Sequence, residues 1–175
     1  MSISTTPERT RTVSWDDPLI GARAAPTMSG LEFLQAMQRG ELPAPPIMRL
    51  LNFGFQEAEE GRVVFHVEPA EYHYNPIGMV HGGLAATLCD TAMGCAIHSS
   101  LPAGVGYTTL ELKINFVRPL TMATGLVLCE GKLINVGGRV GTAEARVTDR
   151  AGKLYAHATT TCLIMRPPAE TERFR

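Results

Sequence analysis

Val80-His81-Gly82-Gly83-Leu84-Ala85-Ala86-Thr87-Leu88-Cys89-Asp90-Thr91-Ala92-Met93-Gly94-Cys95-Ala96-Ile97 is the stretch on which the reading of this chain turns. It is too long for an ordinary strand and apolar on every side, so it predicts a buried helix of about 18 residues. One carboxylate, Asp90, interrupts it. An ionised Asp inside a buried helix is costly unless a partner compensates it or the charge has a task. Residues 80–98 hold no Lys or Arg. Either another element supplies a partner, or Asp90 is functional. Its helical neighbours are Ala86, Thr87, Met93 and Gly94, two of them minimal in size, which leaves room beside the carboxylate.

Gly82 and Gly83 stand where this helix begins. They read either as packing glycines that let the helix approach a sheet, or as carriers of N–H groups that polarise a carbonyl with help from the helix dipole. Such donors, with a carboxylate about two turns on, suit acyl transfer. His81 has a similar pair of readings, a hydrogen-bonded structural histidine or a general acid–base. Asn75 lies in a Tyr-Asn-Pro turn, which conformation alone explains; its amide is also placed to hold a water or a carbonyl oxygen. Thr108 and Thr109 open a strand where β-branched residues belong, and one hydroxyl there can orient a water.

Outward from the helix, the chain reads as antiparallel strands. Leu110, Leu112, Ile114 and Phe116 alternate with Thr109, Glu111, Lys113 and Asn115, a half-buried pattern. Strands are expected at 125–134, 139–148 and 153–165, separated by Gly137-Gly138 and Asp149-Arg150-Ala151-Gly152. Upstream, Ser29-x-x-Glu32 is a capping box for a short helix carrying Leu31, Leu34 and Met37 on one face and stopping at Gly40. A strand from Met48 to Glu57 and a second from Arg62 to Glu68 flank Glu59-Glu60-Gly61. Residues 1–26 predict an extended N-terminal arm, residues 27–166 a single domain and residues 167–175 a frayed tail. The expected fold class is α+β, an antiparallel sheet of five or six strands wrapped around one long central helix.

Composition narrows the function. The 175 residues are 45% hydrophobic and 19% charged, the balance of a globular domain. A net charge of −1 gives no field to recruit nucleic acid or an anionic membrane. Cys89, Cys95, Cys129 and Cys162 show no CxxC pairing, which points to reduced thiols and away from a metal site or disulfides. The N-terminus has no apolar core of a secretory signal, and no run approaches a membrane span, so a cytoplasmic location is expected.

Asn75-Pro76-x-Gly78-x-Val80-His81-Gly82-Gly83, with Asp90 nine residues after the histidine, then Tyr107-Thr108-Thr109 and Asn115-Phe116-Val117-Arg118-Pro119, resembles the PaaI-type hotdog-fold thioesterases over residues 45–165. The resemblance implies a hotdog fold and hydrolysis of an acyl-CoA thioester to free acid and coenzyme A. It implies Asp90 as nucleophile or general base and the Gly83 N–H as the group that polarises the carbonyl. Asn75 and His81 would orient thioester or water, and Thr109 would position the water. Gly82, Thr108 and Met93 complete the expected substrate contacts. No cofactor or metal is implied, coenzyme A entering as part of the substrate. The partner is a second copy of the chain, because Asp90 would face the Asn75, His81 and Gly83 of a neighbour in a homodimer or a dimer of dimers. The rival readings are a hydratase or dehydratase of acyl thioesters and a non-catalytic acyl-CoA-binding module. The former resembles a His-Phe-Pro-Gly or Asp-x-x-x-x-His arrangement that this chain lacks.

Overall fold

In the computed structural model, which describes residues 8–166, a 17-residue helix (α4, Gly82–His98) lies across one six-stranded antiparallel sheet. The strands are β1 (Phe53–Glu59), β2 (Arg62–Val67), β3 (Gly106–Phe116), β4 (Val127–Val136), β5 (Val140–Asp149) and β6 (Leu154–Met165). Their order across the sheet is β1-β2-β4-β5-β6-β3. The expected wrapped sheet is present, at the upper of its two strand counts.

The sheet closes around α4 because its helix-facing positions alternate large and small. Val63, Phe65 and Val67 of β2 are fully buried, whereas the middle strands present Gly131, Gly141, Ala143, Ala145, Ala156 and Ala158. Small residues let the helix backbone approach the strands. At Gly131 the contact is backbone to backbone, and a Cβ there would overlap the Ala92 carbonyl. Leu88, Cys89, Ala92, Met93, Ala96 and Ile97 are sealed from solvent. The helix is thus held from its second turn to its last.

Three short helices precede the sheet: α1 (Leu19–Ala24), α2 (Gly30–Gln38) and α3 (Pro46–Leu51). The capping box of α2 forms as expected, Ser29 and Glu32 bonding reciprocally. Two expectations are corrected. The arm is not extended throughout, because residues 19–24 are helical: Pro18 has a helical φ of −63° and the Asp17 carboxylate accepts the Leu19 N–H at 2.9 Å. Met48 belongs to α3 rather than to a strand. Pro46 starts that helix, and Asn52, left-handed at φ 53°, ends it, so β1 begins at Phe53. The expected tail, 167–175, lies outside the described residues.

Strand β3 also departs from the half-buried pattern. It pairs with β6 on one side only, and Leu110 and Phe116 are 58% and 57% exposed. Its pairing slips between Thr109 and Glu111, making Leu110 the extra residue of a bulge. Tyr107 precedes the slip, Leu112 and Ile114 follow it, and all three pack on the core. The bulge therefore reverses the parity of the strand, and Thr109 turns to the helix side instead of away from it.

Candidate active site

The start of α4 is fixed by the loop before it. Buried His73 accepts the Ala70 N–H on Nδ1 (3.0 Å) and donates Nε2–H to the Leu51 carbonyl (2.8 Å). Burial holds its pKa below the ordinary histidine value, the Leu51 carbonyl opposing and Arg11 adding to that shift. The His73 carbonyl accepts the His81 N–H at 2.7 Å, and Val80 N–H donates to Leu120 at 3.0 Å. Asn75 acts within the turn: its Oδ1 accepts from the N–H groups of Ile77 (3.1 Å) and Met79 (3.2 Å). Its amide NH₂ donates to no group among the described residues.

His81 is the N-cap of α4, its Nδ1 accepting the Gly83 N–H at 2.8 Å. The donor expected to polarise a carbonyl is therefore held by a side chain in this conformation and opens only when the exposed His81 ring turns away. The Gly82 N–H donates to no group among the described residues. Both glycines face side chains rather than backbone: a Cβ at Gly82 would stand 3.0 Å from the exposed Phe116 ring and one at Gly83 2.8 Å from the exposed His81 ring. Beside this helix start lies a groove of about 340 Å³ bordered by His81, Gly82, Phe116, Arg118 and Tyr155.

The carboxylate lies elsewhere on the helix. Asp90 is half-buried, and its Oδ1 accepts the Thr109 hydroxyl at 2.9 Å. The bulge at Leu110 makes that bond. Thr108, one residue earlier, points to the opposite face, is exposed and makes no side-chain hydrogen bond among the described residues, so it does not join Asp90 within one chain. Met93 does not line it either: it is fully buried where α4 meets β4. Asp90 borders a cavity of about 380 Å³ with Thr91, Cys95 and His98 of α4 and Tyr107 and Thr109 of β3. Its opposite wall comes from residues 18–45, which the sequence did not connect with the site. Burial pushes the Cys95 thiol up to about 12 and holds His98 below the ordinary histidine range, so both are neutral near pH 7. Among the described residues, Asp90 is the one acidic side chain on the lining.

Seven residues separate Gly83 from Asp90 on one helix, about 10 Å of axial rise. The donor end and the carboxylate end of α4 therefore stand about two turns apart on the helix.

Residues 77–156 match the model of the thioesterase superfamily. A Halobacterium salinarum protein whose esterase name is provisional is 34% identical over 119 residues, 65% of this chain and 76% of the relative. Human acyl-coenzyme A thioesterase 13 is 28% identical over 100 residues, 57% of this chain and 70% of the human protein. A Streptococcus mutans protein solved with acetyl-CoA bound superposes with a TM-score of 0.60 at 27% identity, covering 67% of this chain and 92% of its own. The chain belongs to the thioesterase superfamily and has its hotdog fold.

Proposed function

We propose that the protein hydrolyses acyl-CoA thioesters at a site shared by two copies of the chain. The observation that carries this reading is the Asp90–Thr109 pair on the rim of an apolar cavity, about 10 Å along the helix from the donors that the same reaction needs. A second copy, set against the unpaired edge of β3 with its exposed Leu110 and Phe116, would bring its own helix start to this carboxylate. The acyl-CoA names of relatives support the substrate class.

In this mechanism one Asp90 oxygen stays bonded to Thr109 and the other accepts a proton from water. The water oxygen adds to the thioester carbon, and the carbonyl oxygen becomes an oxyanion. That oxygen takes the place of His81 Nδ1 on the Gly83 N–H of the other copy, joined by the open Gly82 N–H, at the positive end of α4. Collapse breaks the C–S bond; the coenzyme A thiolate leaves and takes up the proton that Asp90 holds, or one from solvent. No metal or redox partner enters the balance. Four free, buried cysteines support a reducing, cytoplasmic setting.

Thiol release from a panel of acyl-CoAs tests the reading. Wild type is expected to turn over, and Asp90→Asn to lose roughly 10²–10⁴-fold in kcat. Binding without thiol release would favour a non-catalytic module, and an Asp90→Asn rate equal to wild type would remove Asp90 from the mechanism. In a single turnover in ¹⁸O-water, label entering Asp90 would identify it as a nucleophile whose anhydride opens at the Asp carboxyl carbon, and would overturn the general-base role.

A further inference from the structure

We infer that residues 18–45 form the wall that limits the acyl group, with Gly21, Ala22, Phe33 and Met37 as specificity-determining residues for an uncharged, apolar acyl chain. This rests on the thioesterase reading for its substrate class, and on the geometry of the cavity for its residues.

The cavity beside Asp90 has two sides of different origin. One side is α4 and β3, which carry the carboxylate and its threonine. The other is Gly21 and Ala22 of α1, Phe33 and Met37 of α2, and the Pro43–Pro45 linker. This second side is fixed rather than draped. The Gly30 N–H donates to the Leu101 carbonyl at 2.9 Å, and a Cβ at Gly30 would overlap the His98 carbonyl, so α2 sits directly on the end of α4. Gln35 and Gln38 donate to the Ala58 and Gln56 carbonyls of β1, at 3.2 and 3.1 Å. The segment ahead of α1 is tied by Arg11, which donates to the Arg49 and Leu50 carbonyls at 2.8 Å and lies 4.2 Å over the Tyr72 ring. A wall held at both ends sets a size; a loose flap would not.

The chemistry of the wall selects the occupant. It contributes no charged side chain, and Asp90 on the opposite side is negative. An acyl group ending in a carboxylate would lose its hydration without gaining a cation and would meet Asp90 as a like charge. A hydrocarbon chain or ring fits, and about 380 Å³ falls in the lower part of the usual range for ligand sites.

Gly21 is the point at which the wall can be moved. A Cβ there meets only the Phe33 ring, at 3.7 Å, an ordinary contact, and its backbone is helical, so a larger residue is tolerated by α1. The experiment measures kcat/KM for acetyl-, butyryl-, octanoyl- and succinyl-CoA, together with Kd for non-hydrolysable thioether analogues of the same series. Gly21→Leu is expected to lower the octanoyl-to-acetyl ratio roughly 10- to 100-fold in both readouts. Met37→Ala is expected to raise it, and Leu19→Ala, on the exposed side of α1, to leave it where wild type has it. Succinyl-CoA should be the poorest ligand of its size. A ratio that Gly21→Leu leaves unmoved overturns the wall, as does a panel that does not bind. A wild type that binds the analogues in this pattern yet releases no thiol overturns the hydrolase reading and leaves the wall standing.

Discussion

The two working regions of α4 are built differently. Around Asp90 the helix is clamped: Gly131 admits the Ala92 carbonyl, a Cβ on Gly94 would meet the Tyr107 hydroxyl at 2.8 Å, and the segment 18–45 covers the remaining side. At Gly82 and Gly83 the helix is open. Its cap is an exposed histidine whose ring can turn, and its neighbour Phe116 is 57% exposed. A carboxylate that takes a proton from water needs a fixed position beside the acyl group. Donors that receive a carbonyl from a second molecule need access. The fold gives each requirement to a different stretch of one helix, and in the proposed mechanism two helices from two copies complete the site.

The sharpest break of that contrast is a mixing experiment. Asp90→Asn removes the carboxylate, and Gly83→Leu fills the space over the helix start against the exposed His81 ring. Each variant alone should be nearly inactive. Mixed in equal amounts after dissociation and reassembly, half the dimers are mixed, and each of those has one intact site, so activity should return to about a quarter of wild type. No recovery, in a mixture shown to exchange subunits, would mean that each chain carries its own complete site.

The clamped region predicts a large effect on stability. Gly131→Ala places a methyl group against the Ala92 carbonyl, where neither backbone can yield cheaply. A loss of about 3 kcal/mol is expected, at the upper end of overpacking costs, read as a fall in the denaturation midpoint. A comparable insertion at the open end, Gly83→Leu, should cost far less, because it meets the end of a side chain. Equal losses at the two positions would erase the distinction.

What the sequence made legible follows the same division. α4, its glycine start and the turns between the later strands were readable because their signals are local and uninterrupted. The site was readable as residue types but not as a place. Thr109 and Thr108 are equivalent in an alternating strand, and only the bulge at Leu110, a matter of pairing with β6, turns Thr109 to Asp90. Met93 is one turn from Asp90, yet it faces β4, because the direction of close approach is set by Gly131, far along the chain. The cavity wall was missed for a related reason. α1 and α3 have six residues each, too few to stand alone, and they are held by contacts such as those of Arg11 with the carbonyls of α3. Pro46 and Asn52 did carry a local signal, a helix start and a left-handed stop, that a strand reading passed over.

The smallest expected effect concerns pH and lies within the clamped region. His98 packs between the tilted rings of Phe33 and Tyr107, with centroids 5.7 and 5.4 Å away, and borders the cavity with Cys95, Tyr107 and Asp90. Burial lowers its pKa in the folded protein. The unfolded chain, whose histidine titrates near an ordinary value of about 6.5, then binds more protons as the pH falls below that value. The stability contribution is whole above about pH 6.5 and is lost as the pH falls through the lowered folded value. His73, lowered in the same sense, adds to the loss at the open end. Lowered carboxylates such as Glu32 and Asp149 act at more acid pH, so the two windows separate. His98→Phe keeps a ring between the other two and removes the titration. Its Tm should fall less than that of wild type between pH 7.5 and 5, with each kcal/mol of difference appearing as about 2–4 °C in a chain of this size. Identical acid profiles would show that His98 accepts its proton without disturbing that packing, and the region around Asp90 would then be softer than its glycine contacts imply.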